Sequence, residues 1–416
     1  MLIVHLALWG STPFVVAQQS AWTRFRGPNG TGAIEDVQLP AEWSLADMKW
    51  RTPLPGLGHS SPVLWGDQLF VQSADADHQL HHLVRLSART GEVEWTKSTS
   101  ARQYHIHLRN SFASATPAVD GDHVYYIWST ADETTVAAVT HDGQDVWSAK
   151  LGEFVSQHGY GSSPVVVGDM LLVTSQQHDK GGNDAPDGKR GASFLAAFNR
   201  LTGQEIWRTE RHSGSASYAV PCIYQPENGP AQMICCNTDD GMYSLSLANG
   251  QELWSLPVFK MRTVSSPLIV GSRIIGSTGS GGGGNYVVAV DPTATPAEAY
   301  RVTSSAPYVP TSVACGDLVF LWSDKGIVTC IRADDGHVFW RERVGGEYSS
   351  SPVRAGDQVL ALSDEGEVVV VAATEDYHLI GKVSLGSRSR ATPAVDQHGV
   401  YFRTESELMH LPAKSN

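Results

Sequence analysis

Residues 162–175 read SSPVVVGDMLLVTS, and further along the same stretch residues 197–207 read AFNRLTGQEIW. The first string is a Ser-Pro pair, an apolar run, a Gly-Asp turn and a second apolar run. The second is an apolar strand, a Thr-Gly pair and a short strand that ends at Trp207. A T-G, D-G or N-G pair between two such runs is a hairpin signal, because the glycine takes up positive φ. Together the two strings describe four short antiparallel strands, a to d, with the proline on a and the tryptophan on d.

The unit recurs. The first string returns as SSPVLWGDQLFVQS from Ser60, ATPAVDGDHVYYIWS from Ala115, SSPLIVGSRIIGST from Ser265, SSPVRAGDQVLALS from Ser350 and ATPAVDQHGVYFRT from Ala391. Two further copies are degenerate, AVPCIY around Pro221 and TSVACGDLVFLWS, where Ser312 stands in place of proline. The anchors are therefore Pro62, Pro117, Pro164, Pro221, Pro267, Ser312, Pro352 and Pro393. The second string returns at Trp95, Trp147, Trp254 and Trp340, and has lost its tryptophan at Tyr300 and near Ile380. Four strands per repeat of 40–45 residues is the blade of a β-propeller. Eight anchors predict an all-β, eight-bladed propeller of four-stranded antiparallel blades. The last repeat stops without a d strand, and Met48–Pro53 ahead of the first anchor reads as an orphan d strand. The expectation is a ring closed by that N-terminal strand pairing into the last blade, which removes open sheet edges. Trp50, Trp95, Trp147, Trp207, Trp254 and Trp340 are expected to dock blade against blade.

The expected domain layout is an apolar leader over 1–17, a lead segment over 18–47 and the propeller over 48–416. Leu2–Ala17 is mostly apolar and too short for a membrane span. Val15-Val16-Ala17 offers small residues for cleavage before Gln18, which predicts export to the periplasm or beyond. No later segment is apolar for long enough to cross a bilayer as a helix. The chain of 416 residues carries a formal net charge of −13, which argues against nucleic-acid binding, since phosphate contacts need clustered Lys and Arg. Five cysteines, Cys222, Cys235, Cys236, Cys315 and Cys330, all in strand-like contexts, read as buried thiols rather than a disulfide scaffold.

AFNRLTGQEIW resembles the pyrroloquinoline-quinone-like (PQQ-like) repeat, and the resemblance covers nearly all of the chain after Trp50. That repeat builds quinoprotein dehydrogenases and also the propeller subunit of the outer-membrane β-barrel assembly machinery, so it implies fold more than activity. WTRFRGPNGTG, PYVPTS and GGEYSSSPV look like a family of exported single-propeller proteins of planctomycete-type bacteria. From the quinoprotein side the resemblance implies PQQ with calcium as a cofactor and compares Cys235-Cys236 with a vicinal disulfide. The calcium ligands of those enzymes have no counterpart here.

In a propeller the d-to-a connections and the b-to-c loops share one face, and the d-to-a connections lead into the innermost strands beside the central channel. The candidate ligand residues on that face are His59, His105, His107, Arg109, His158, Tyr160, Tyr218, Arg262, Tyr308, Tyr348, Arg388 and Arg390. A cationic and aromatic mouth on an acidic protein focuses potential on an anion. No catalytic set and no metal motif is complete: H-E-x-x-H, G-x-S-x-G and C-x-x-C are absent, Gly279–Asn285 lacks the Lys-Ser/Thr of a phosphate loop, and the Asp-rich insert 176–193 lacks EF-hand spacing. The expectation is a monomeric, exported binding or scaffold propeller, with a protein partner or a small anionic ligand at this face. The alternatives are a quinone-binding protein or quinone-dependent oxidoreductase, and a carbohydrate-binding propeller using exposed rings at Tyr160, Tyr308 and Tyr348.

Overall fold

The computed structural model describes residues 22–178, 189–293 and 295–414. The expected leader and residues 179–188 of the Asp-rich insert lie outside the described residues. The chain forms eight antiparallel sheets arranged as blades, each running from an inner strand a to an outer strand d. Blade 3 shows the pattern: a is Val165–Val167, b is Met170–Ser175, c is Ser193–Asn199 and d is Glu205–Arg211. Strands b and c are buried on both faces, whereas d alternates with solvent. Apolar burial is therefore concentrated between blades; one cluster, for example, joins Leu172, Leu195 and Trp207 of blade 3 to Met233, Cys235 and Tyr243 of blade 4.

The ring closes as the repeat predicts. Blade 8 has only Ala394–Asp396, Gly399–Arg403 and Glu407–Pro412 of its own. Its d strand is Trp50–Pro53, antiparallel to Glu407–Pro412 with Trp50 opposite His410.

The tryptophans dock the blades through one repeated contact. The indole N–H of Trp50 donates to Ala88 O at 3.0 Å, Trp95 to His141 O at 2.9 Å, Trp147 to Arg200 O at 2.9 Å, Trp207 to Leu247 O at 2.9 Å and Trp340 to Thr374 O at 3.2 Å. Each acceptor lies in the c-to-d turn of the next blade. Where blade 5 has lost its tryptophan, the Tyr300 hydroxyl makes the same bond, to Ala333 O at 2.8 Å. Blade 7 has Gly381 there, opposite Val370 as Trp340 is opposite Cys330; the next blade offers no such turn, because the d strand of blade 8 comes from the other end of the chain. Trp254 departs from the pattern and donates to Gln232 Oε1 of its own blade at 3.2 Å. Its neighbour, blade 5, joins c to d through a proline-containing segment without the Thr-Gly pair.

This contact explains the glycine of the motif as well as the tryptophan. Gly203 has φ +73°, and a Cβ there would stand 2.5 Å from Trp147. Gly203→Ala is expected to cost about 2–4 kcal/mol, combining the backbone penalty with overpacking. Gly66→Ala is the control, because Gly66 has φ +56° with no atom within 4 Å of its would-be Cβ, and about 1 kcal/mol is expected there. Urea midpoints of the two variants, if equal, would remove the indole from the account.

The Ser/Thr before each anchor has a structural role of its own. Its hydroxyl accepts the backbone N–H of the equivalent residue one blade earlier. Thr392 N–H donates to Ser61, Ser61 to Thr116, Thr116 to Ser163, Val220 to Ser266, Ser266 to Thr311, Thr311 to Ser351 and Ser351 to Thr392, at 2.8 to 3.1 Å. The circle has one gap, between blades 3 and 4. There Val220 of the degenerate AVP copy faces Ser163 and has no hydroxyl to offer.

Residues 22–34 do not run alongside the ring but cross its channel. Trp22 O accepts from Leu64 N–H of blade 1 and Thr23 O from Val119 N–H of blade 2. The Asn29 side chain brackets Ile223 of blade 4, accepting from its N–H at 2.7 Å and donating to its carbonyl at 2.9 Å. Ala33–Ile34 then adds in parallel to strand a of blade 7, Val353–Ala355. One segment thus touches inner strands on opposite sides of the ring and stops the channel at one end. Arg24 donates to Pro221 O beside the gap in the hydroxyl circle, at 2.6 Å.

Candidate functional site

Above the crossing segment the inner strands enclose a cavity of about 660 Å³, open on the face of the d-to-a connections and b-to-c loops. Phe25 of the crossing segment belongs to its lining, as do the hydroxyl-bearing Ser61, Thr116, Ser163, Thr311, Ser351 and Thr392. The cavity is a funnel with a floor, not a through-channel.

Of the residues expected at this face, His59, His107, Arg109, His158, Tyr218, Arg262, Tyr308 and Arg390 line the funnel. Four others do not. His105 is exposed on the loop above the mouth, and Arg388 is exposed with Glu365 at 3.6 Å. Tyr160 is buried against Phe154, with ring centroids 5.0 Å apart, in the core between blades 2 and 3. Tyr348 is buried against Trp322 at 5.5 Å between blades 6 and 7. With two of its three rings buried, the carbohydrate-stacking arrangement expected at Tyr160, Tyr308 and Tyr348 is not formed. The lining also includes residues that the sequence reading missed, Phe25, Asn110, Asn285, Asp324 and Lys325. Phe25 and the three from b-to-c loops could have been found only by assigning side chains to positions along those segments.

The funnel is cationic. Arg262 donates to His158 Nε2 at 2.6 Å, which makes that nitrogen an acceptor, and the Arg262 Nε is buried with no partner among the described residues. His107 lies over His158 with ring centroids 4.5 Å apart. Its pKa is lowered by burial and by Arg109, Arg262 and Arg390. His59 is pushed down to about 3 by burial first and then by Arg403 and Arg390. The one carboxylate among the described lining residues is Asp324. It accepts from the N–H groups of Tyr308 and Val309 at 2.7 and 3.1 Å, and burial raises its pKa.

Behind the lining stand three more guanidinium groups. Arg26 donates to Ser312 O at 2.7 Å and Pro352 O at 2.8 Å, Arg24 to Pro221 O, and Arg403 to Ser60 O at 2.7 Å and Gln72 O at 2.6 Å. All three are buried, and among the described residues none meets a carboxylate. Burial lowers Arg24 to about 10 and Arg26 and Arg403 to about 9, so each stays charged at neutral pH.

The family model described as outer membrane protein assembly factor BamB matches residues 46–126 and 109–342. The chain belongs to the BamB family. No curated protein matches it. Among solved structures, BamB from Moraxella catarrhalis superposes with a TM-score of 0.62 at 12% identity, covering 87% of this chain and 99% of that one. The quinohemoprotein alcohol dehydrogenase from Comamonas testosteroni gives 0.57 at 11% identity, covering 96% of this chain and 82% of that one. A computationally designed protein, Ika8, gives 0.59 at 12% identity, covering 86% and 98%. At such identities these likenesses show the fold alone.

Within this BamB-family ring, the residues present do not fit a calcium-held quinone. Among the described residues no three His, Cys, Asp or Glu side chains gather to hold a metal ion, and Asp324 is already committed to two backbone amides. Cys235 and Cys236 do not face the funnel. They sit on strand b of blade 4 and point in opposite directions, Cys235 into the core shared with blade 3 and Cys236 into the core shared with blade 5. Burial raises both thiols, Cys222 to about 12 as well, which makes them unreactive packing groups.

Proposed function

We propose that this BamB-family chain is an exported binding propeller whose floored central funnel takes a small anionic ligand. The observation that carries this reading is the set of buried guanidinium groups behind the funnel, Arg24, Arg26 and Arg403, none of them facing a carboxylate among the described residues. Taking an uncompensated charge out of water costs several kcal/mol per ion. Backbone carbonyls offset part of that cost, and an anion in the cavity would offset more of it. The anion sits in a site shielded from bulk water, where Coulomb terms are larger than at a surface. Arg262 supplies a direct donor, Arg390 adds a cation whose Nε is shared with Asp364 at 3.1 Å, and the histidines and Tyr218 and Tyr308 supply walls suited to a planar or partly apolar body.

PQQ carries three carboxylates and belongs to this ligand class without needing calcium. The test is calorimetric titration of the chain from Gln18 onward with PQQ, citrate and inorganic phosphate at low salt, each with and without Ca²⁺. Saturable, calcium-independent binding of at least one is expected, weakening as salt is raised. Arg262→Met should lower that affinity about 10- to 100-fold, the usual worth of a charge-assisted hydrogen bond. No binding at high micromolar concentration of any of the three sinks the reading. Calcium-dependent binding near one equivalent supports the quinone-dependent oxidoreductase instead.

The family description favours a second reading, a scaffold for outer-membrane protein assembly in the periplasm. It predicts capture of an envelope protein by the ring with the funnel variant Arg262→Met unimpaired.

A further inference from the structure

The d-to-a connection of blade 1, residues 101–114, is longer than its counterparts and reaches over the funnel mouth. Its base is firmly held. Asn110 Nδ2 donates to His158 O at 2.6 Å and to Tyr160 O at 3.3 Å, and Tyr104 packs edge-on against Phe112 at 5.6 Å. Its tip is held differently. Arg109 Nη2 reaches Glu347 Oε2 at 3.1 Å, on the connection into blade 7, and Leu108 O accepts from Arg390 Nη1 at 3.3 Å, on the connection into blade 8. Glu347 is shared, because its other oxygen takes Lys325 Nζ at 2.8 Å. Arg109 and Glu347 are each about half exposed, with side chains 49% accessible. The Leu108 side chain is 93% exposed. The strap is therefore rooted on blades 2 and 3 and tied across the mouth by contacts of the kind that solvent and salt weaken most.

We infer that residues 105–109 form a gate over the funnel, latched by Arg109 on Glu347 and by Arg390 on the Leu108 carbonyl. The inference rests on the funnel being a ligand site, and it adds how that site opens. Arg109, Arg390 and Lys325 line the cavity and are the same cations that close it. An anion entering the mouth competes with Glu347 for Arg109 and Lys325, so the ligand class that the funnel attracts is the one that loosens the latch. A neutral or cationic solute has no such leverage. The Leu108 side chain gains no burial when shut, so closure rests on these polar contacts and on the His107 ring against His158.

The experiment places a cysteine inside the funnel, Val264→Cys, with Val309→Cys as a second site should the first disturb packing. Its modification rate is read with two methanethiosulfonate reagents of similar size, one sulfonate-bearing and one trimethylammonium-bearing. The native thiols, buried or half-buried, set the background in the wild type. In the Glu347→Gln background both rates are expected to rise about 3- to 10-fold, and 1 M NaCl should do the same in the parent. A rise in the sulfonate rate with a fall in the ammonium rate is a pure charge effect and overturns the gate, as does no change in either. The anion reading is judged separately, from the parent alone: it requires the sulfonate to react faster than the ammonium at low salt, and the opposite order sinks that reading while the Glu347→Gln comparison still decides the gate.

Discussion

Acidification from pH 7 to pH 5 is expected to strip stability from the ring at up to about 4 kcal/mol per pH unit, before the carboxylates that are held low by their partners titrate. Three histidines are held neutral by their surroundings. His81 is fully buried between blades 1 and 2, stacked on Tyr126 at 6.1 Å and Trp128 at 5.9 Å, and neither ring nitrogen has a hydrogen-bond partner among the described residues. Burial, with a smaller push from His82, lowers it to about 3. His410 stacks on Tyr401 at 4.4 Å, bonds the His398 carbonyl through Nε2 at 3.1 Å and is lowered to about 4, chiefly by burial. His59 is the third, at about 3. In the unfolded chain all three return to an ordinary value near 6.5. Between that value and 3 to 4 the unfolded state binds more protons than the folded one. The stability they contribute is complete above pH 6.5 and lost as the pH falls through this window. Three protons at about 1.4 kcal/mol per pH unit each give the slope. Carboxylates such as Asp335, held low by Arg332, add their loss only nearer pH 4 and below. Denaturant midpoints at half-unit steps from pH 7.5 to 4.5 measure the slope. His81→Phe keeps the aromatic stack and should remove about a third of it; an unchanged slope would show that His81 is not held neutral.

The fold was legible because each motif residue answers a local demand. The Thr-Gly pair marks a turn that only a residue without Cβ can make beneath the indole of the preceding blade, and the tryptophan four residues after that glycine supplies the indole for the next blade. Period and residue type together therefore disclosed eight blades and the closing strand at Trp50. The Ser/Thr before each proline was equally visible as part of the repeat. Its purpose was not, because the hydroxyl circle links residues about a blade apart and shows only in three dimensions. The site was legible in part for the same reason. Assigning loops to the channel face brought out His59, His107, Arg109, His158, Tyr218, Arg262, Tyr308 and Arg390. Tyr160 and Tyr348 belong to the same connections but turn into the interblade cores, since a connecting loop alternates between lumen and packing faces with no fixed period. Arg24, Arg26 and Arg403, which stand buried behind the funnel lining, were unreadable as candidate site residues. Their partners are backbone carbonyls of distant blades, and a carbonyl leaves no mark in a sequence.

Trp22→Ala is expected to cost about 3–5 kcal/mol, the range for emptying the site of a fully buried large aromatic. The residue lies outside every repeat, and from sequence it is only one aromatic in a lead segment. In the fold it is wholly buried with Leu64, Val353 and Leu360, joining blades 1 and 7. Gly27 folds onto its face so closely that a Cβ would come within 2.4 Å of the ring. The indole thus fixes the start of the segment whose later residues deliver Arg24, Phe25 and Arg26 to the channel. Its loss should release more than one side chain. The Ser312 and Pro352 carbonyls depend on Arg26, and Asn29 pins blade 4 on the side where Val220 leaves the hydroxyl circle open. Two readouts separate anchoring from simple packing loss. The denaturant midpoint reports stability, and limited proteolysis between Trp22 and Gly32 reports whether the segment has left the channel. If Trp22 anchors the floor, cleavage there should accelerate far more than cleavage in the blades, and anion binding should weaken along with it. A variant that is destabilised by the expected amount, yet keeps the segment protected and the funnel competent, would show that Arg24, Arg26 and Asn29 hold the floor without the indole.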